Sequence, residues 1–549
     1  MSSARLNDAL IAIGTTLVGA ALAWGLAGGL PAIGIDDSAI TRSYSQNLAA
    51  GAGYVYNVGG ERVEGSTTLL WTLILTLFYA VSDRPEPAIL LLGAALATGA
   101  VYCALRVARH LSAAEGGEPG VAVAVVAAVL VASPGYFLWS VWTMMEVGIW
   151  SAAILLLTFG LVRAATGPAA VDGTARSGSL TTLALAIPAI CLPMIRPEGV
   201  AVAIGLLALG AVLVPAVRTR AIVCVGLALA VFAAITVWRL SYFGQPFPNT
   251  FYAKVSSDRV QDAIDGTKYT LRFVFGQPFA EAFVLAWLAA VALVALRLRD
   301  AGGPARTAPL IPAAAVFGVM AVYSALGGDH FALWRFIQPI QPLLPVALAV
   351  WLSTVLTPVL LTRSRRALLW PAGAVAAGLL VLGPLHYYQA RFDVAKEFVL
   401  TERGLDFGAY LNGIEPAPSI GVGAAGGIAM AYDGYIYDLH GLNWTEMAHA
   451  KPVKVGLRNH ASFHAPTFWE NRPDLVAIFN KRCPDGELHR FWTPFDGLFD
   501  QPRFRAEFTP VVFRQDGACW PGFAHADWMA RLDETSVEVL AWPDADLAD

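Results

Sequence analysis

Charge is scarce in these 549 residues: 14% are Asp, Glu, Lys or Arg, against 56% hydrophobic residues and a mean hydropathy of +0.57. A chain this apolar does not fit a soluble protein of its length and fits a polytopic membrane protein. Lys and Arg form no basic face, so no nucleic-acid partner is expected, and the net charge of −4 says little else. The five cysteines include no CxxC pair, and no HExxH occurs, so zinc-type ligand spacing is lacking. Cys103, Cys191 and Cys224 fall in apolar runs as small core residues. Cys483 and Cys519 fall in a C-terminal segment open to oxidation, where they are disulfide candidates. No small-residue cleavage site follows the first apolar run, which reads as an uncleaved membrane helix. An internal repeat of the kind transporters carry is also missing.

What is present is a series of apolar segments of spanning length, at about 9–31, 87–106, 119–139, 146–163, 179–195, 198–216, 220–240, 280–297, 309–327, 335–357 and 368–386. A further run, 66–82, is short. Left out of the count, it puts every arginine-bearing connector on one side: Arg106 and Arg109, Arg163 and Arg176, Arg218 and Arg220, Arg297, Arg299 and Arg306, then Arg363, Arg365 and Arg366. The positive-inside rule therefore predicts eleven spans, a cytoplasmic N-terminus, and 66–82 as a juxtamembrane or re-entrant helix on the outer face. The inner connectors read as plain basic anchors. The expected fold is a polytopic α-helical membrane domain, residues 1–386, with an outer loop at 32–86. Residues 387–549 follow as a soluble extracytoplasmic α/β domain.

In that topology the outward connectors hold most of the unusual polar residues. Gly34 to Gly65 reads GIDDSAITRSYSQNLAAGAGYVYNVGGERVEG and opens on the adjacent carboxylates Asp36 and Asp37. Ionisable groups at a bilayer surface facing a cavity are a functional hypothesis by default, since desolvating them is expensive. Farther on come Glu146, Arg196 and Glu198 in RPEG, Asn249 and Lys254 in FPNTFYAK, and Asp329, His330 and Arg335 in GGDHFALWRF. Each has a plainer reading. RPEG also suits a tight turn between helices, Glu146 an interfacial acid, and Asp329-His330 a helix-end cap with a surface histidine. The soluble segment contains strand-like SIGVGAA, DLVAIF and VVFRQ. Its GVGAAG, Gly421 to Gly426, is a formal dinucleotide fingerprint, but strand–turn–helix structure is the expected reading.

Paired carboxylates can deprotonate a hydroxyl or hold a divalent cation, the one cofactor open here. Arginines and a lysine suit a phosphate. A lipid phosphate beside a hydroxyl to be activated describes glycosyl transfer from a polyprenyl-phosphate sugar.

The same residues resemble the GT-C glycosyltransferase superfamily, whose mark is an acidic pair after the first helix followed by juxtamembrane helices. More narrowly, DDSAITRSYSQNLAAGAGYVYNVGGERVEGSTTLLWTLIL resembles the first outer loop of the mycobacterial terminal β-(1→2)-arabinofuranosyltransferase family, and RPEG, FPNTFYAK, GGDHF and WRF follow in order. The segment at Glu146 reads MMEV where that family has GxET. The resemblance implies Asp36 and Asp37 as catalytic residues. It implies Arg42, Tyr44, Glu146, Arg196, Glu198, Asn249, Lys254, Asp329, His330 and Arg335 around the donor phosphate and sugar. It places Asn57, Glu61, Arg62 and Glu64 on the acceptor side. The implied reaction moves D-arabinofuranose from polyprenyl phosphate to a cell-envelope glycan or surface protein, outside the cytoplasmic membrane. The alternatives are a hexose or aminoarabinose donor, and a lipid-linked sugar transporter. Direct displacement with Asp36 or Asp37 as base inverts the anomeric centre, whereas a β product from a β donor requires retention, so both routes stay open.

Overall fold

Runs of Ala, Leu and Val make the described residues up to 411 mostly helical. The structure is a computed structural model that describes residues 3–167, 178–298, 303–361, 369–454, 459–477, 495, 497–532 and 537–542. Seven helices among them are long and apolar enough to cross a membrane: Ser3–Leu26, Glu86–Ala114, Val147–Thr166, Pro215–Tyr242, Ala280–Arg297, Pro304–Ala325 and Gln338–Leu356. Pro119–Val131 and Pro134–Trp142, bent by 71° where Pro134 removes a backbone donor, form an eighth if taken as one broken span. The chain is a multi-pass helical membrane protein.

Eleven spans were expected, and two of the other segments form helices shorter than 18 residues for a local reason. Ser179–Ile195 and Gly199–Leu213 are 17 and 15 residues long, because both stop at the Arg196–Glu198 turn. Arg196 is extended there, at φ −148° and ψ 143°, and Pro197 cannot continue a helix. The last expected span is the first part of one helix, Leu369–Leu411, whose 43 residues extend about 65 Å. The expected domain boundary at 387 therefore falls inside a continuous helix. Leu69–Tyr79, within 66–82, has 11 residues and a length of about 16 Å, half a hydrocarbon core.

The connector arginines are not all plain anchors. Asp8, fully buried in the first helix, accepts from Arg106 at 2.8 Å and from Arg109 at 2.8 and 2.6 Å. This triad pins the first helix to Glu86–Ala114, and deleting one member would strand buried charge. Arg176, Arg299, Arg363, Arg365 and Arg366 lie outside the described residues.

Beyond residue 411 a six-stranded sheet forms, with β1 (Ile420–Val422), β2 (Ile436–Asp438), β3 (Leu475–Ala477), β4 (Phe508–Gln515), β5 (Ala518–His525) and β6 (Val537–Val539) in the order β2-β1-β3-β5-β4-β6. β1 is parallel to β2 and β3, and the remaining pairings are antiparallel. The three strand-like runs became β1, β3 and β4. β5 escaped notice because Pro521 and Gly522 argue against a strand. Cys519, in β5, is disulfide-bonded, and Cys483 lies outside the described residues.

The sheet shares one core with the outer loop. Tyr44, Tyr54 and Tyr56 pack with Ile420, Val422 and Phe407. Polar contacts reinforce the seam: the Asn57 side chain donates to Ile436 O and accepts from Ile436 N, both at 3.0 Å. Glu61 accepts from Thr445 N at 2.9 Å, and the Tyr56 hydroxyl donates to Ala425 O at 2.5 Å.

Candidate active site

Where the helical part, the outer loop and the sheet region meet, a cavity of about 320 Å³ opens. Asp37 reaches it from the first turn of helix Asp36–Ala49, and Thr41 follows one turn later on the same face. Glu146, Arg196, Glu198 and Tyr323 come from ends of apolar helices, Lys254 from the short helix Asn249–Lys254, and Arg335 from the loop after Leu310–Ala325. Asn459 closes it from the C-terminal region. The same cavity has an apolar lining that includes Ile40, Phe232, Phe247, Phe251 and Leu442.

Most of the charges are paired. Arg335 donates to Asp37 at 2.8 Å, contacts Asp329 at 2.8 Å, and lies against the rings of Phe331 and Phe336 at 4.4 and 4.7 Å. Arg196 bridges Glu146 and Glu198, each at 2.5 Å, and Tyr323 donates to Glu198 at 3.0 Å. RPEG is thus both a turn and a charged site. Asp329 is buried and accepts from Asn459 at 2.7 Å; His330 stands beside it at 3.5 Å.

Lys254 is the exception. It is half-buried, and among the described residues it has neither ion pair nor hydrogen bond. Burial pushes its ammonium down, and Asp37 and Asp329 only partly restore it. Burial likewise pushes Asp37 up, but Lys254, Arg335 and His330 together outweigh it and hold the carboxyl below its ordinary value. Asp329 is held down in the same way, burial being outweighed by Arg335, His330 and Lys254.

The two adjacent aspartates part company. Asp36 is buried and turned away from the cavity, accepting from Gly427 N at 2.8 Å and Gly426 N at 3.0 Å. GVGAAG is therefore the dock for this carboxylate, with short helix Gly426–Ala429 following β1. A side chain at Gly426 would meet Asp36 O at 1.8 Å, so only glycine permits the approach. The expectation of a catalytic pair becomes one cavity carboxylate and one tether.

Other expected site residues also lie elsewhere. Arg42 is buried against Glu86 and the Ile33 carbonyl. Tyr44 is buried, donating to Val63 O and Asn443 Oδ1. Asn249 spends its amide on Gly441 O and Leu442 O, which fixes the helix that carries Lys254. On the expected acceptor side, Asn57 and Glu61 hold the sheet seam and Glu64 forms a buried bidentate pair with Arg239 at 2.7 and 2.9 Å. Arg62 lies exposed over the Tyr242 ring. Tyr44, Asn57, Glu61 and Asn249 thus bond across to the sheet region, whereas Arg42, Arg62 and Glu64 meet partners in the helical part.

Sequence reasoning missed Tyr323, Asn459 and the phenylalanine wall. Tyr323 has a legible signal, a hydroxyl four residues before GGDH at the end of an apolar helix; Asn459 has none. Asp36 and Asp37 were the expected ligands of any cation. Both Asp36 oxygens face amide N–H donors and Asp37 faces a guanidinium, which do not suit a metal. Among the described residues no three His, Cys, Asp or Glu side chains group so as to hold one.

No family model matches the sequence. The chain is similar to the terminal β-(1→2)-arabinofuranosyltransferase of Corynebacterium glutamicum, with 31% identity over 243 residues, which cover 41% of this chain and 33% of that protein. The resemblance read from the motifs is borne out, and the match spans about a third of the curated relative's length. Among solved structures, the oligosaccharyltransferase of Archaeoglobus fulgidus in complex with Zn and sulfate superposes with a TM-score of 0.46 and 12% identity, covering 96% of this chain and 74% of that one. The archaeal oligosaccharyltransferase AglB of the same organism, in complex with an inhibitory peptide and a dolichol-phosphate, gives 0.43 and 12%, covering 96% and 75%.

Proposed function

We propose that this chain is a membrane glycosyltransferase of the GT-C type. It moves a sugar from a polyprenyl-phosphate donor to a cell-envelope glycan or surface protein on the extracytoplasmic face of the cytoplasmic membrane. The observation that carries the reading is the cavity itself, lined by the Lys254 ammonium, which has no ion pair among the described residues, by the Arg335 guanidinium and the Asp37 carboxylate, and by aromatic and apolar side chains. A lipid phosphate supplies the anion that Lys254 lacks, and the first isoprene units suit Phe232, Phe247 and Phe251. The similarity to an arabinofuranosyltransferase supports D-arabinofuranose as the donor sugar.

In the reaction, Asp37 takes the proton of the acceptor hydroxyl while that oxygen bonds to the sugar C1. The C1–O bond to phosphate breaks, and its electron pair leaves with polyprenyl phosphate. Lys254 and Arg335 donate to the departing phosphate oxygens, where charge develops. Drawing those two cations toward phosphate also weakens their hold on Asp37, so its carboxyl rises and becomes a better base when donor is bound.

The test is transfer by purified protein from polyprenyl-phosphate arabinofuranose, with hexose and aminoarabinose donors in parallel, by wild type and Asp37→Asn. Product in the wild type alone supports the reading. Product from a different donor revises the sugar, and an Asp37→Asn variant as active as wild type sinks the base.

A further inference from the structure

A second cavity, of about 270 Å³, adjoins the first, and Lys254 and Asn459 line both. Its charged walls are four cations, Lys254, Lys268, Arg272 and Lys454, against Asp265 and Asp329. Both acids are already engaged. Asp329 is held by Arg335 and Asn459, and Asp265 accepts from Lys268 at 3.1 Å. Lys254, Arg272 and Lys454 then have no carboxylate at ion-pair distance among the described residues. Lys454 donates only to neutral oxygens, Ala448 O at 2.8 Å and Ser462 Oγ at 3.1 Å. Burial, with Lys451 nearby, pushes its ammonium down to about 8, consistent with positive charge in excess of its surroundings.

The two cavities differ in what they can hold. The second has one ring, Tyr269, in place of the phenylalanines, and Ala253, Gly327 and Ala461 are its small apolar lining. It suits a hydrated anionic group better than an isoprenoid chain. Because Lys254 stands between the two, an anion seated here brings the molecule that carries it to the edge of the cavity containing Asp37.

The geometry points to a second, phosphate-class anion site that receives the acceptor: the natural acceptor carries a phosphate, which seats among Lys254, Arg272 and Lys454 while its hydroxyl faces Asp37. This rests on the transferase reading above. Arg272 and Lys268 are exposed, so the site opens to the surface of the protein.

The test uses the full chain in nanodiscs of zwitterionic lipid, with a short arabinan and the same arabinan bearing a terminal phosphate monoester. Calorimetry should find the phosphorylated form bound about tenfold or more tightly, the scale of one charge-assisted hydrogen bond. The preference should shrink as salt rises and should vanish in Arg272→Gln, an exposed position whose replacement leaves packing intact. Equal affinities in the wild type, or an unchanged preference in Arg272→Gln, would overturn the site. So would a preference abolished by anionic lipid in the nanodisc, which would assign the cations to a lipid headgroup. Transfer assays on the same pair separate the two readings. A binding preference without transfer to either acceptor removes the activity and keeps the anion site; transfer to both, with equal affinity, keeps the activity and removes the site.

Discussion

Burial raises the Asp36 carboxyl to about 6 from its ordinary 3.8, although Gly427 and Gly426 donate to it. The folded chain therefore binds more protons than the unfolded chain between about pH 4 and pH 6, and stability falls as pH rises through that window. Asp36→Asn cannot titrate, so its melting temperature should decline less than that of the wild type over the window. Identical slopes would place the proton elsewhere, with Asp438, also raised by burial to about 6, the nearest choice. Lys254 acts on the donor instead. Lys254→Gln should lower kcat/KM for the donor about tenfold or more, as expected for one lost charge-assisted contact, with the melting temperature kept. An unchanged kcat/KM would mean that the lysine does not meet the donor phosphate. At this scale the sequence was half legible. An acidic pair in DDSAIT marks a special place, but nothing in two identical side chains tells which one the helix turns toward the cavity.

The clearest element is the glycine-rich turn after β1. Its strand–turn–helix form was legible from GVGAAG, but its partner was not, since Asp36 lies 390 residues away in sequence. Asp438, at the end of β2, accepts from His440 N at 3.0 Å and Asn443 N at 2.9 Å and shapes its own turn. Gly426→Ala would thrust a methyl group to 1.8 Å from Asp36 O. It should cost on the order of 1–3 kcal/mol, the usual scale of overpacking, and should be read as a lowered unfolding temperature. A neutral result would mean that the turn is free to move away from the carboxylate. The helices teach a related lesson. Hydropathy locates apolar segments well, but it does not register that RPEG ends the helices in 179–195 and 198–216 at an ion cluster, which leaves them 17 and 15 residues long.

Across the whole molecule, the site belongs to no single part of the chain. Asp37 comes from the outer loop, Arg196, Tyr323 and Arg335 from the helical part, and Leu442 and Asn459 from the C-terminal part. Composition announced a helical part and a sheet-bearing part, but not that several polar connector residues serve the joint between them. Asn57 is the simplest probe, since it lies outside the cavity lining and holds β2 through two backbone hydrogen bonds of 3.0 Å. In Asn57→Ala both Ile436 backbone groups lose their partner, at about 1–3 kcal/mol for each one left buried and unsatisfied. If the joint positions the site, hydrogen exchange should quicken together in residues 36–68 and 425–445, while Glu86–Ala114 stays protected. Transfer should slow although no lining residue has changed. Faster exchange near Asn57 alone, with transfer at the wild-type rate, would show that the helical part holds Asp37 in place without the sheet.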